Sequence, residues 1–170
     1  EVGTLQTGTP EAVIAEARRR YTAHSSEPNA MPAPLRKVIL AVVARQADAT
    51  MWGQLQAAAL AEKTPLVKDN LYAYLATTED EALAARALDL ALSDEPGATN
   101  SAGMIAGVAG LHAALAFDFA MAHLAQVDAK VDSPSRSRYY ARLGNNSLDA
   151  AMIDKIKAYA EAHVTASSPR

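Results

Sequence analysis

The chain has 170 residues, half of them hydrophobic but only 5% aromatic, with a formal net charge of −3 and no cysteine. That length fits one domain with a proper core, and the missing cysteines exclude disulfides and thiol chemistry. The acidic balance argues against nucleic acid as a partner, because a phosphate backbone calls for a clustered basic surface.

Alanine, the commonest residue, leads the helix-propensity scale because it loses no side-chain entropy in a helix. Val, Ile and Thr never alternate as strands require, so the chain reads as all-α. Residues 1–8 form an extended lead-in to a single helical domain covering 1–170. Thr9-Pro10-Glu11 then supplies a cap, a first-turn proline and a first-turn acid for a helix reaching about His24. Ser25 to Pro34 holds Pro28, Pro32 and Pro34 and reads as a loop. Pro34 opens the next helix, where Leu35, Val38, Ile39, Val42 and Val43 share one face of a 3.6-residue period.

Asp48 caps a third helix carrying Trp52 and Leu55. Thr64-Pro65 repeats the cap-plus-proline start, with Leu66, Leu71, Tyr74 and Leu75 on the buried face. Asp80 opens a helix through Leu83, Leu88 and Ala91 that the turn from Ser93 to Gly97 ends. Asn100 or Ser101 caps a helix of small residues, in which Gly103-xxx-Gly107 predicts close packing. Its uncharged stretch, Ala102 to Phe117, is shorter than the ~20 residues of a membrane span and contains His112, so no span is predicted. A helix from about Ala113 to Gln126 follows, then one from Ser133-Pro134 to Leu143, which Gly144-Asn145-Asn146 stops. Ser147 caps the last helix, with Ile153, Ile156 and Ala160 facing inward; residues 166–170 are a frayed tail.

The expected architecture is about nine helices with short loops. Pro34-Leu35-Arg36-Lys37 recurs as Pro65-Leu66-Val67-Lys68, each opening the first helix of a pair. Two-helix repeats of roughly 30–47 residues mark helical solenoids, so an irregular α-α superhelix of HEAT/armadillo-like pairs is expected over a compact bundle. The first residue, Glu1, suggests a piece of a longer chain.

Motifs for chemistry are scarce. His24, His112, His123 and His163 never take the i, i+4 spacing of a helical metal pair, and no HExxH, Gly-rich phosphate loop or nucleophile elbow occurs. Partly buried or surface histidines are the simpler reading, even for His112 and His123 on adjacent helices. The acids Glu79, Asp80 and Glu81 fall in an opening helical turn, where the helix dipole favours them. The segment Ser133 to Arg142 is the most suggestive. Arg136, Arg138 and Tyr139 could hold a peptide's backbone or carboxylate, since a guanidinium is a planar fork of donors. The competing reading is a solvated helix face with tyrosines packed against a neighbour.

An ordered set of residues resembles a known family. It begins with Trp52-x-x-Leu55, Thr64-Pro65 with Lys68, Leu71 and Leu75, and Asp80-x-x-Leu83 running into Ala87 to Glu95. Leu115 to Phe119 and a closing helix with Met152, Ile153, Ile156 and Tyr159 complete it over roughly residues 10–163. Together these are similar to the C-terminal helical domain of the aminopeptidase N family of zinc aminopeptidases. The resemblance implies a non-catalytic domain that closes over the active site and helps select peptide substrates. It also implies that zinc, HExxH and GxMEN sit on a separate catalytic domain, this segment's partner, so no catalytic residue or metal ligand carries over. A free-standing helical-repeat adaptor for a protein partner is the alternative. An apolar face at the N-terminal end, with exposed Leu or Val in 10–24 or 34–47, would favour the domain.

Overall fold

A computed structural model describes residues 10–26 and 31–163. The expected lead-in, the Thr9 cap, the middle of the 25–34 loop and the tail lie outside the described residues. Those described form ten α-helices and no strand: α1 (Pro10–Ser26), α2 (Ala33–Arg45), α3 (Ala49–Ala61), α4 (Pro65–Leu75), α5 (Glu81–Leu92), α6 (Ala98–Ala109), α7 (Ala113–Ala122), α8 (Leu124–Asp128), α9 (Arg136–Leu143) and α10 (Ala151–His163). A 3₁₀ turn, Ser133–Ser135, leads into α9.

The extra helix arises at His123. Its backbone leaves helical geometry (φ −119°, ψ 32°), which separates α7 from α8. The ring stays on the Phe119 side, with centroids 4.4 Å apart and Nδ1 2.9 Å from the Phe119 carbonyl oxygen. A side chain competing for that carbonyl gives the backbone an alternative to continuing the ladder.

Side-chain caps fix two of the other starts. Asp48 and Asp80 accept the amides of Met51 at 2.8 Å and Leu83 at 2.9 Å, which satisfies donors a helix start leaves orphaned. Thr64 precedes Pro65 but makes no cap bond; the Glu62 carboxylate takes the Lys63 and Thr64 amides instead. The small-residue helix begins at Ala98, before the expected caps, because Gly97 adopts φ 81° and turns the chain there. The last helix begins four residues after Ser147, at Ala151, whose amide Asp149 accepts; Ser147 accepts from Asp149.

Helices pack as hairpins α1–α2, α3–α4 and α5–α6, and α2, α4 and α6 then lie side by side. This is the stacked helix-pair architecture of a solenoid, continued by α7, α9 and α10. The Pro-Leu-x-Lys echo therefore opens the second helix of a pair, not the first as expected. It still marks equivalent positions, α2 and α4, in one layer.

Many contacts between helices are made by buried alanines, among them Ala44, Ala59, Ala76, Ala84, Ala91 and Ala116. One close approach is at Gly107, where an added Cβ would stand 3.1 Å from the Ala76 Cβ. Gly103 is exposed and meets nothing, so only one of the paired glycines serves the crossing. Larger side chains fill the rest: Trp52, Tyr72, Leu75, Leu88, Ile105, Phe117, Tyr140 and Leu143 are all buried, each Leu, Ile or Phe contributing roughly 1.5–3 kcal/mol.

Three expected inward residues point outward. Val38 is 56%, Leu66 71% and Ile153 56% exposed. On α10 the buried residues are Met152 and Tyr159, because the helix packs mainly on α9 alone and one neighbour covers only a narrow stripe.

Candidate functional site

Helix α9 carries Arg136, Arg138 and Tyr139, and its winding sends them in different directions. Arg136 begins the helix and reaches back: its Nη2 donates to the Asp128 carbonyl at 2.7 Å and its Nε to the Val131 carbonyl at 3.2 Å. The Asp128 carboxylate lies 3.7 Å from the same Nε. This guanidinium closes the turn between α8 and α9. Tyr139 is half-buried and donates its hydroxyl to the Ala102 carbonyl at 2.8 Å, tying α9 to α6. Burial pushes its pKa far above the ordinary tyrosine value. Arg138 is exposed, and Arg142, one turn on, shares its solvent side.

Beside them lies an aromatic row with Tyr140 and Tyr159 buried at its centre. Tyr140 donates to the Asp128 carboxylate at 2.6 Å and meets Tyr139 edge to face at 5.5 Å. Tyr159 of α10 packs on Tyr140 at 4.7 Å, and His163 stacks on Tyr159 at 4.6 Å. Burial, then the bond to Asp128, raises the Tyr140 pKa strongly. Of the segment's polar groups, the structure thus brings Arg136, Tyr139 and Tyr140 into internal packing and leaves Arg138 and Arg142 to solvent. The i, i+4 spacing of the two exposed arginines was the readable signal.

Two open grooves flank the other end of the last hairpin. One, of about 380 Å³, runs between Leu111–His112 and the loop around Leu148, with Glu81 on its lining. The second, of about 470 Å³, lies on the α10 side of that loop, against Met152, Ile153 and Ile156. None of Arg136, Arg138 and Tyr139 lines either one. His112 sets its Nε2 3.0 Å from the Thr78 carbonyl oxygen, so it and His123 each have their own backbone partner.

The acids near residue 80 divide by role. Asp80 caps α5, as expected, but Glu79 accepts from Arg45 at 2.5 Å and from Gln46, while its amide donates to the Arg45 carbonyl. Glu95 accepts from the Tyr72 hydroxyl at 3.1 Å and from Gln56. It pins the 93–97 turn to α3 and α4. Among the described residues no three His, Asp or Glu side chains converge in a way that could hold a metal ion, so no step through zinc is derived from this chain.

A scan of family models matches residues 3–170 to one described as the ERAP1-like C-terminal domain. The chain belongs to the ERAP1-like C-terminal domain family. It is accordingly an aminopeptidase C-terminal domain. No curated protein sequence matches the chain. No helix among the described residues is long and apolar enough to cross a membrane.

Proposed function

We propose that this domain is the non-catalytic C-terminal part of a zinc metallo-aminopeptidase, where it encloses the active-site cavity and helps select the peptides that lose their N-terminal residue. The observation that carries this reading is the family match over residues 3–170. A stack of helix pairs suits the role, since repeat stacks build extended surfaces rather than catalytic centres. The partner is the catalytic domain of the same parent chain, and the zinc belongs there.

Within the set of Arg136, Arg138 and Tyr139, peptide contact falls to Arg138, aided by Arg142, because these two present their guanidinium groups to solvent. Arg136 and Tyr139 hold the helix that displays them. The test uses the full-length aminopeptidase with Arg138→Glu. A zinc chelator abolishes activity, and the variant lowers kcat/KM for long peptides by about three- to tenfold, well beyond its effect on a short aminoacyl amide. Equal effects on both substrates, or none, would remove Arg138 from the cavity wall; chelator-insensitive activity would sink the zinc-enzyme reading itself.

A further inference from the structure

The two ends of the helix stack differ. At the α10 end the outward side chains include Asp154, Lys155, Lys157 and Glu161. The apolar residues there, exposed Leu148 and Ile153 with half-buried Ile156, are interrupted by Asn145, Ser147 and Asp149. At the α1 end, a groove of about 370 Å³ is lined by Pro10, Val13, Ile14, Val42, Arg45 and Gln46, and apolar atoms dominate it. Val38, 56% exposed and one turn before Val42, prolongs its apolar stripe along α2. Its polar rim is satisfied from within: Arg45 and Gln46 both bind Glu79, and Arg18 donates to the Gln46 carbonyl. The charged side chain in its lining, Arg45, is thus already paired.

A repeat stack needs a polar outer face on each terminal unit that meets water. An apolar end marks an interaction site. On the proposed function, the parent aminopeptidase places more protein ahead of this domain. We propose that the α1–α2 groove seats an apolar segment of the parent aminopeptidase's preceding portion, and that the α10 end stays in water. The inference rests on the reading of the chain as part of that enzyme.

The chain has no cysteine, so Val13→Cys, Val38→Cys and, at the opposite end, Ala158→Cys each introduce a single thiol. Maleimide labelling, read on the labelled peptide by mass spectrometry, is compared between the 170-residue chain and the full-length enzyme. Expected is fast labelling of V13C and V38C in the chain, at least about tenfold slower labelling in the enzyme, and equal A158C rates in both. Equal rates for V13C and V38C in both proteins would overturn the inference, as would protection of A158C instead. Slow labelling already in the isolated chain would overturn it too, since residues 1–9 or a second copy would then fill the groove. Peptidase activity of the same full-length sample reports separately on the proposed function.

Discussion

Arg136 and Arg138 stand two residues apart and do different work. Arg136 satisfies two backbone carbonyls and faces Asp128, and hydrogen bonds from charged groups are among the stronger ones. Arg136→Ala is expected to cost about 1–3 kcal/mol in urea denaturation, whereas Arg138→Ala stays within about 0.5 kcal/mol, as surface changes do. Equal costs would contradict the division between them. Residue type and spacing made the segment conspicuous, but they could not say which arginine the fold consumes, because that depends on where the chain after Asp128 returns.

The tyrosines give a pH dependence with a definite sign. Burial, then the bond to Glu95, pushes Tyr72 up to about 12. Burial raises Tyr139, Tyr140 and Tyr159 as well. A group whose folded pKa exceeds its unfolded value contributes stability that is full below the unfolded value, near 10 for tyrosine. That contribution is lost as the pH rises toward the folded values. Tyrosinate absorbance should therefore appear in a cooperative step above about pH 10, together with loss of helical circular dichroism. Independent ionisation around the ordinary value with the helices intact would refute it.

At the scale of elements, helix existence followed from alanine content and 3.6-residue periodicity; starts followed at Asp48 and Asp80, where a cap bond is made, and also at Pro65 and Ala113, where none is. Asp48 and Asp80 cap as their positions suggest; Thr64 and Ser147 do not. Asp80→Ala should cost about 1 kcal/mol, a fall of roughly 2–4 °C in Tm for a domain this size. Thr64→Ala should change Tm by less than about half that, since its side chain caps nothing. A matching loss at Thr64 would show that its hydroxyl, bonded to the Glu62 carboxylate, contributes as much as a cap. The outward turn of Val38, Leu66 and Ile153 was illegible because it depends on which neighbour covers each face, and periodicity names a face without naming its neighbour. The break at His123 is local, its ring meeting the Phe119 carbonyl, and periodicity does not register it.

Across the whole molecule, contacts run between successive helix pairs, and each terminal helix packs mainly on a single neighbour. α1 packs mainly on α2 and α10 mainly on α9, while α4 touches α2, α3 and α6. Native-state hydrogen exchange should be slowest in α3 to α6, around Trp52, Tyr72 and Leu88, and fastest in α1 and α10. Uniform protection along the chain would mean that the stack opens only as one unit.

What the sequence by itself determined was the helical class, the approximate helix count and membership of an aminopeptidase C-terminal family. Each of these is local or additive: propensity, period and an ordered set of residues survive without knowledge of contacts. Only the tertiary structure decided that the proline-led helices are the second members of their pairs, that Arg136 and Tyr139 are engaged inside, and that the apolar end lies at α1 and α2. Those outcomes arise from contacts between residues far apart in the chain, such as Tyr139 with Ala102 and Glu79 with Arg45, and spacing along the chain carries no record of them.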